Sequence, residues 1–173
     1  MNHKDFMSAL ESDLRFADSY SRLPTLFDYR YVVPDDTWLK ILGREWSRCD
    51  NIGEYLDELY CSPFGDRLGR NIPEMMDRKS RKVLNELPDV VTIYRGCYTS
   101  NKWGLSWSLD RSIAERFPTL MRYRQDGQPL LVKAQIEKSK IAAVITDRNE
   151  SEIICCRPKC VSISHIRGTG DGL

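Results

Sequence analysis

The chain changes character at Pro88-Asp89, and that change limits what it can fold into. Before it, apolar residues recur at three- and four-residue steps, the period of amphipathic helices. After it, segments become short, rich in β-branched residues and separated by turn residues. Phe6, Leu10, Leu14 and Ala17 predict a first helix that ends before Pro24. Pro34-Asp35-Asp36 marks a second start, with carboxylates favouring the positive end of the helix dipole. Trp38, Ile41, Leu42 and Trp46 form its apolar face. Asn51 is placed to cap a third helix reaching Tyr60, Pro63 to Asp66 reads as a turn, and a fourth helix covers Ile72 to Leu87. The basic run Arg78, Lys79, Arg81 and Lys82 on that helix is read as a solvated face.

Beyond Pro88 the pattern predicts strands at Val90–Tyr98, from Leu105 through Trp107, and at Leu130–Ile136, Ile141–Thr146, Ile153–Cys156 and Val161–Ile166. Asp110 caps a short helix that presents Ile113, Ala114 and Phe117 and stops at Pro118. Helices first and strands later indicate an α+β fold: a helical region over 1–88 and a β-rich core over 89–173, within one domain or as a domain with a helical extension. The closing run Gly168–Leu173 reads as a frayed tail.

Composition narrows the function classes. Net charge is +1, so no global field draws the chain to nucleic acid or membrane. Residues 1–88 carry 13 Lys and Arg against 16 Asp and Glu, whereas 89–173 carry 13 against 9. A mildly basic second half suits an anionic ligand such as a dinucleotide, or a nucleic-acid substrate. The N-terminus shows no apolar signal core, and no window approaches the roughly 18 apolar residues that span a bilayer. A cytoplasmic location is expected, with the six cysteines (49, 61, 97, 155, 156 and 160) reduced and acting mainly as small buried apolar groups. Their spacing matches no zinc pattern, and His3 and His165 add none, so no metal is expected. No glycine-rich loop of the Rossmann or Walker type is present in the sequence.

Three polar intrusions into strands stand out. Arg95 follows Val91, Ile93 and Tyr94 and precedes Gly96. An arginine in an apolar strand must be paired, either in a structural ion pair or as a fork for phosphate or ribose oxygens. Gly96 beside it admits a close approach to the backbone. Ser106 and Ser108 flank Trp107, so both hydroxyls share one face and the indole takes the other. That is either a polar strand rim over a core tryptophan or part of a site. Glu150 and Glu152 alternate in the same way before Ile153-Ile154. They face solvent, or they share a cleft in which repulsion makes one hold its proton more tightly.

The order and surroundings of these residues resemble the arginine–serine–glutamate class of mono-ADP-ribosyltransferases. Tyr94-Arg95-Gly96 is similar to that family's aromatic-Arg-Gly opening, and Gly104 to Arg111 with Ala114 and Phe117 is similar to its serine strand and following helix. Lys138 to Ile141 and Asp147 to Ile154 resemble the approach to its catalytic strand. The resemblance covers about residues 90–166 and departs at Trp107, where many members carry threonine. It implies a split β-sandwich with an NAD cleft between two small sheets. It implies that NAD is the substrate, that Arg95 holds its pyrophosphate or ribose, and that the Gly96 backbone bonds the nicotinamide amide. Ser106 would hold Glu152, Glu152 would bond the 2′-hydroxyl of the nicotinamide ribose and stabilise an oxocarbenium-like transition state, and Glu150 would prepare the acceptor. Ser108 belongs to the same motif, and Trp107 and Phe117 are either core residues or stacking surfaces for nicotinamide.

In that family a glutamate at the first position accompanies transfer to protein arginine; nucleic-acid bases are the alternative acceptor. A bacterial or phage toxin or effector, restrained by an antitoxin or other regulatory protein, is the expected setting. The alternatives are an NAD glycohydrolase and a binding module of the same fold without turnover.

Overall fold

The computed structural model describes residues 3–147 and 150–166. The expected tail and the Arg148-Asn149 step of the glutamate motif lie outside the described residues. The helical half contains α1 (His3–Phe16), α2 (Arg22–Asp28), α3 (Asp35–Glu45), α4 (Leu56–Tyr60), α5 (Pro63–Asp66) and α6 (Arg78–Glu86). Strands β1 (Val90–Cys97), β2 (Ser106–Ser108), β3 (Leu130–Glu137), β4 (Ala143–Asp147), β5 (Glu150–Ile154) and β6 (Lys159–His165) follow, with α7 (Arg111–Arg116) between β2 and β3. The architecture is α+β.

Several boundaries differ from expectation, each for a local reason. Pro24 lies within the first turn of α2, where a missing N–H breaks no helical bond. Asn51 does not cap a helix. Its side chain donates to the Tyr20 carbonyl at 2.9 Å, and a 3₁₀ turn over Ile52–Tyr55 precedes α4. Pro63–Asp66 is a helical turn, because the Ser62 hydroxyl accepts from Phe64 N and Pro63 fits the first position. The helix expected over Ile72–Leu87 is interrupted. Pro73–Met75 forms a 3₁₀ turn, and Asp77 then caps α6 by accepting from Ser80 N at 2.7 Å.

The strands form one antiparallel sheet in the order β4-β5-β2-β1-β3-β6. The join at its middle is narrow. β1 pairs with β3 along its whole length, from Val90↔Glu137 to Cys97↔Leu130, but with β2 only at Tyr94↔Ser108. One sheet therefore stands where the resemblance implies two, and β1 and β2 diverge on either side of their single pair. On β1, Val91, Ile93 and Cys97 are buried while Thr92, Tyr94 and Gly96 face the other way, the period of two that the sequence showed.

Helix α6 lies against β4, where Ser80 Oγ and Thr146 Oγ1 meet at 3.0 Å. The buried apolar residues of both halves, from Leu10 through Trp38 and Trp46 to Val132 and Ile153, belong to one cluster. Among the described residues no helix is long and apolar enough to cross a membrane.

Candidate active site

The eight residues singled out in the sequence line a single cleft: Arg95, Gly96, Ser106, Trp107, Ser108, Phe117, Glu150 and Glu152. The enclosed part of the cleft is about 150 Å³, and it opens widely to solvent. Register explains the convergence. Ser108 stands opposite Glu152 on β5 and opposite Tyr94 on β1, so hydroxyl, carboxylate and tyrosine share one face. Ile145 of β4, opposite Glu152 on the other side, gives that carboxylate an apolar neighbour.

Arg95 is held by backbone oxygens. Its Nη1 donates to the Ser106 carbonyl at 2.6 Å, and Nη2 and Nε donate to the Asn101 carbonyl at 3.0 and 3.3 Å. The guanidinium thereby fills the seam where β1 and β2 no longer pair. Among the described residues it forms no ion pair with a carboxylate, so the structural ion pair considered from sequence is not what satisfies it. Burial pushes the guanidinium down from its ordinary value, and the charge of Glu152 opposes that shift. Gly104 packs directly on this guanidinium, a role the sequence did not reveal.

Gly96 serves packing first. A Cβ there would lie 2.6 Å from Pro118 Cδ and 2.9 Å from the Ala114 carbonyl carbon. The close approach that this glycine permits is therefore made by α7 and the chain after it.

Glu152 sits at the cleft floor. Ser106 hydrogen-bonds its carboxylate, and the Trp46 indole N–H donates to Oε1 at 3.0 Å while also lying 3.2 Å from Ser106 Oγ. Burial raises the Glu152 carboxyl above its ordinary 4.5. The bonds from Ser106 and Trp46 and the charge of Arg95 pull it back, and Glu150 adds to the rise. Glu150 is exposed at the mouth, opposite Asp147 on β4. The two glutamates therefore differ in environment in the way that divides roles between carboxylates.

The remaining positions have more local tasks. Ser108 Oγ accepts from Asp110 N at 3.0 Å, and the Asp110 side chain caps α7 through Ser112 N and Ile113 N. The Trp107 indole is buried on the opposite face and donates to the Gly104 carbonyl at 3.0 Å, which leaves it little surface for stacking. Phe117 is 41% exposed and stacks on Tyr123 at the cleft rim, with ring centroids 4.6 Å apart. Tyr123 Oη in turn donates to Asp50 Oδ1 at 2.7 Å, and Arg122 lies over the Tyr123 ring. Burial and Asp50 both raise the Tyr123 phenol, so it remains a proton donor at neutral pH.

Comparison with family models, curated proteins and solved structures finds no match.

Ser47, Arg122 and Tyr123 line the cleft and Trp46 supports it from behind; sequence reasoning missed all four. The sequence pattern places Trp46 only on a helix face, and nothing in a 3.6 period shows where an indole N–H points. All six cysteines are free; Cys49, Cys97 and Cys155 are buried, while Cys61 and Cys160 are exposed. Burial pushes the Cys49 and Cys155 thiols up to about 12, so both are inert as nucleophiles. Among the described residues no group of His, Cys, Asp and Glu is arranged to hold a metal ion.

Proposed function

We propose that the protein is a mono-ADP-ribosyltransferase that cleaves NAD and transfers ADP-ribose to a macromolecular acceptor. One observation carries this reading: Glu152, Ser106, Arg95 and Glu150 converge on one cleft, with the Glu152 carboxylate held by two hydrogen-bond donors. The cleft suits NAD in kind. Arg122 lines it as a cation for the pyrophosphate, Ile113, Ala114 and Phe117 give it an apolar wall, and Arg95 adds positive charge at the floor. NAD supplies the glycosidic bond to be broken and a cationic leaving group.

Glu152 places negative charge beside C1′ of the nicotinamide ribose as positive charge develops there. The C1′–N bond breaks with its electron pair leaving on nicotinamide. The acceptor nucleophile then bonds to C1′, and its proton passes to Glu150 at the mouth. The facing carboxylates of Asp147 and Glu150 favour a cationic acceptor, which points to protein arginine over the phosphate-lined alternative.

The test is incubation with NAD labelled in its adenylate portion, together with cell lysate, while nicotinamide release is followed. Label removed by protease and resistant to nuclease is expected. Label removed only by nuclease would reassign the acceptor, and nicotinamide release without macromolecular label would make the protein a glycohydrolase. Neither release nor label would end the enzyme reading and leave a binding module.

A further inference from the structure

We propose that Trp46 is a positioning residue for Glu152: its indole N–H, delivered from the helical half, fixes the carboxylate in the cleft. This rests on the reading of Glu152 as the residue that acts on NAD. Trp46 is 1% exposed and packs against Phe64, with ring centroids 5.6 Å apart. A buried indole N–H needs an acceptor, and backbone carbonyls are the usual supply. The two other buried tryptophans follow that pattern. Trp38 donates to the Leu26 carbonyl at 2.7 Å and Trp107 to the Gly104 carbonyl. Trp46 instead spends its one proton on the cleft, shared between Glu152 Oε1 and Ser106 Oγ.

The position of Trp46 is fixed from behind. The preceding residue, Glu45, is buried and takes Arg22 Nη1 at 2.7 Å, Arg44 Nε at 2.7 Å and Arg48 Nη1 at 3.5 Å. The 3₁₀ turn Trp46–Arg48 is thereby anchored on both sides of the tryptophan. The groups facing Glu152 are Arg95 from β1, Glu150 on its own strand, Tyr123 from the rim and the Cys49 thiol. The charge of Arg95 favours the ionised carboxylate and that of Glu150 favours the protonated acid, but the hydrogen bonds that set its orientation come from Ser106 and Trp46. Without the indole N–H the carboxylate keeps one donor and rotates more freely. It also takes up a proton at higher pH, because a bond that favours its charged form is gone.

The test compares wild type, Trp46→Phe and Trp38→Phe. Both variants keep an aromatic ring and delete one buried N–H, but only the first removes a donor from Glu152. Expected for Trp46→Phe is a nicotinamide-release rate about tenfold lower on the acid side of the profile, recovering to within about threefold on its alkaline side. Trp38→Phe should leave the shape of the profile unchanged. A readout independent of turnover is the titration of the Glu152 carboxyl carbon by nuclear magnetic resonance. Its midpoint should rise in Trp46→Phe and not in Trp38→Phe; an unmoved midpoint in Trp46→Phe overturns the proposal whether or not the wild type cleaves NAD. Absence of nicotinamide release in wild type would instead refute the enzyme reading, and the carboxyl titration would still decide the role of Trp46. Should Trp46→Phe fail to fold, the wild-type indole resonance suffices. It must shift with the same midpoint as the Glu152 carboxyl, and a flat indole titration refutes the contact.

Discussion

Replacing Gly104 with alanine would put a Cβ 2.6 Å from Arg95 Cζ and 2.9 Å from its Nη1, where ordinary contact begins at 3.4 Å. The guanidinium has to retreat, because its position is set by bonds of 2.6, 3.0 and 3.3 Å to two carbonyls. Losing two of these three charged bonds costs about 3–6 kcal/mol. The backbone itself should tolerate alanine, since Gly104 does not occupy the left-handed region. In a chain lacking the guanidinium, alanine should therefore be neutral or stabilise by about 0.4–1 kcal/mol. A double-mutant cycle separates the two effects. Urea unfolding of wild type, Gly104→Ala, Arg95→Ala and the double variant should return a coupling energy close to the whole cost of Gly104→Ala. Nicotinamide release should fall in Gly104→Ala along with stability, since the seam that Arg95 fills adjoins Ser106 and Glu152. Additive stabilities would show that the glycine matters for some reason other than room for Arg95, and the account of the seam would fail.

Glu152→Gln should lower nicotinamide release by about a hundredfold or more, yet stabilise the fold at pH 7–8. Its carboxyl is raised by burial, so its contribution to stability is greatest below 4.5 and is lost as pH rises through the folded value. Urea midpoints of the two proteins should converge toward pH 4 and separate toward pH 8; a variant less stable than wild type at pH 8 would contradict this. Tyr123→Phe removes the bond to Asp50 and should speed amide exchange in residues 117–124 while leaving exchange in β3 unchanged. Unaltered exchange in 117–124 would mean that the bond does not hold the rim.

What could be read from the sequence was whatever is encoded locally. Asp110 was legible as a cap because its side chain bonds residues two and three positions on. The shared face of Ser106 and Ser108, and that of Glu150 and Glu152, follows from strand alternation alone, and the register brings those faces together. The misreadings came from residues that satisfy themselves at a distance. Asn51 looks like a cap and bonds Tyr20, 31 residues earlier. Gly96 lines the cleft as its sequence position suggests, but the side a Cβ would occupy is taken by Ala114 and Pro118, a packing role that no local pattern announces. Arg95 reads as half of an ion pair or as a fork for a ligand, and the partners that hold it are carbonyls, an acceptor set without a side-chain signature.

The helical half gives no functional signal for the same reason, although the cleft depends on it. Three bonds leave one short stretch, 46–50, and each reaches a different wall. Trp46 bonds Glu152, 106 residues away, Ser47 Oγ donates to Asp147 at a separation of 100, and Asp50 receives Tyr123 at a separation of 73. Contacts this distant leave no periodicity and no motif, because the residues need only the right donor or acceptor after folding has placed them. Their placement is nonetheless determined, since the turn that carries them follows α3 and is gripped at Glu45 by three arginines. The strand half supplies the residues proposed to act on NAD, and this turn ties β5, β4 and the rim segment to a common anchor. A change that loosens the Glu45 cluster would therefore loosen the floor and the rim of the cleft together, although none of its four charged residues is a ligand of the proposed substrate.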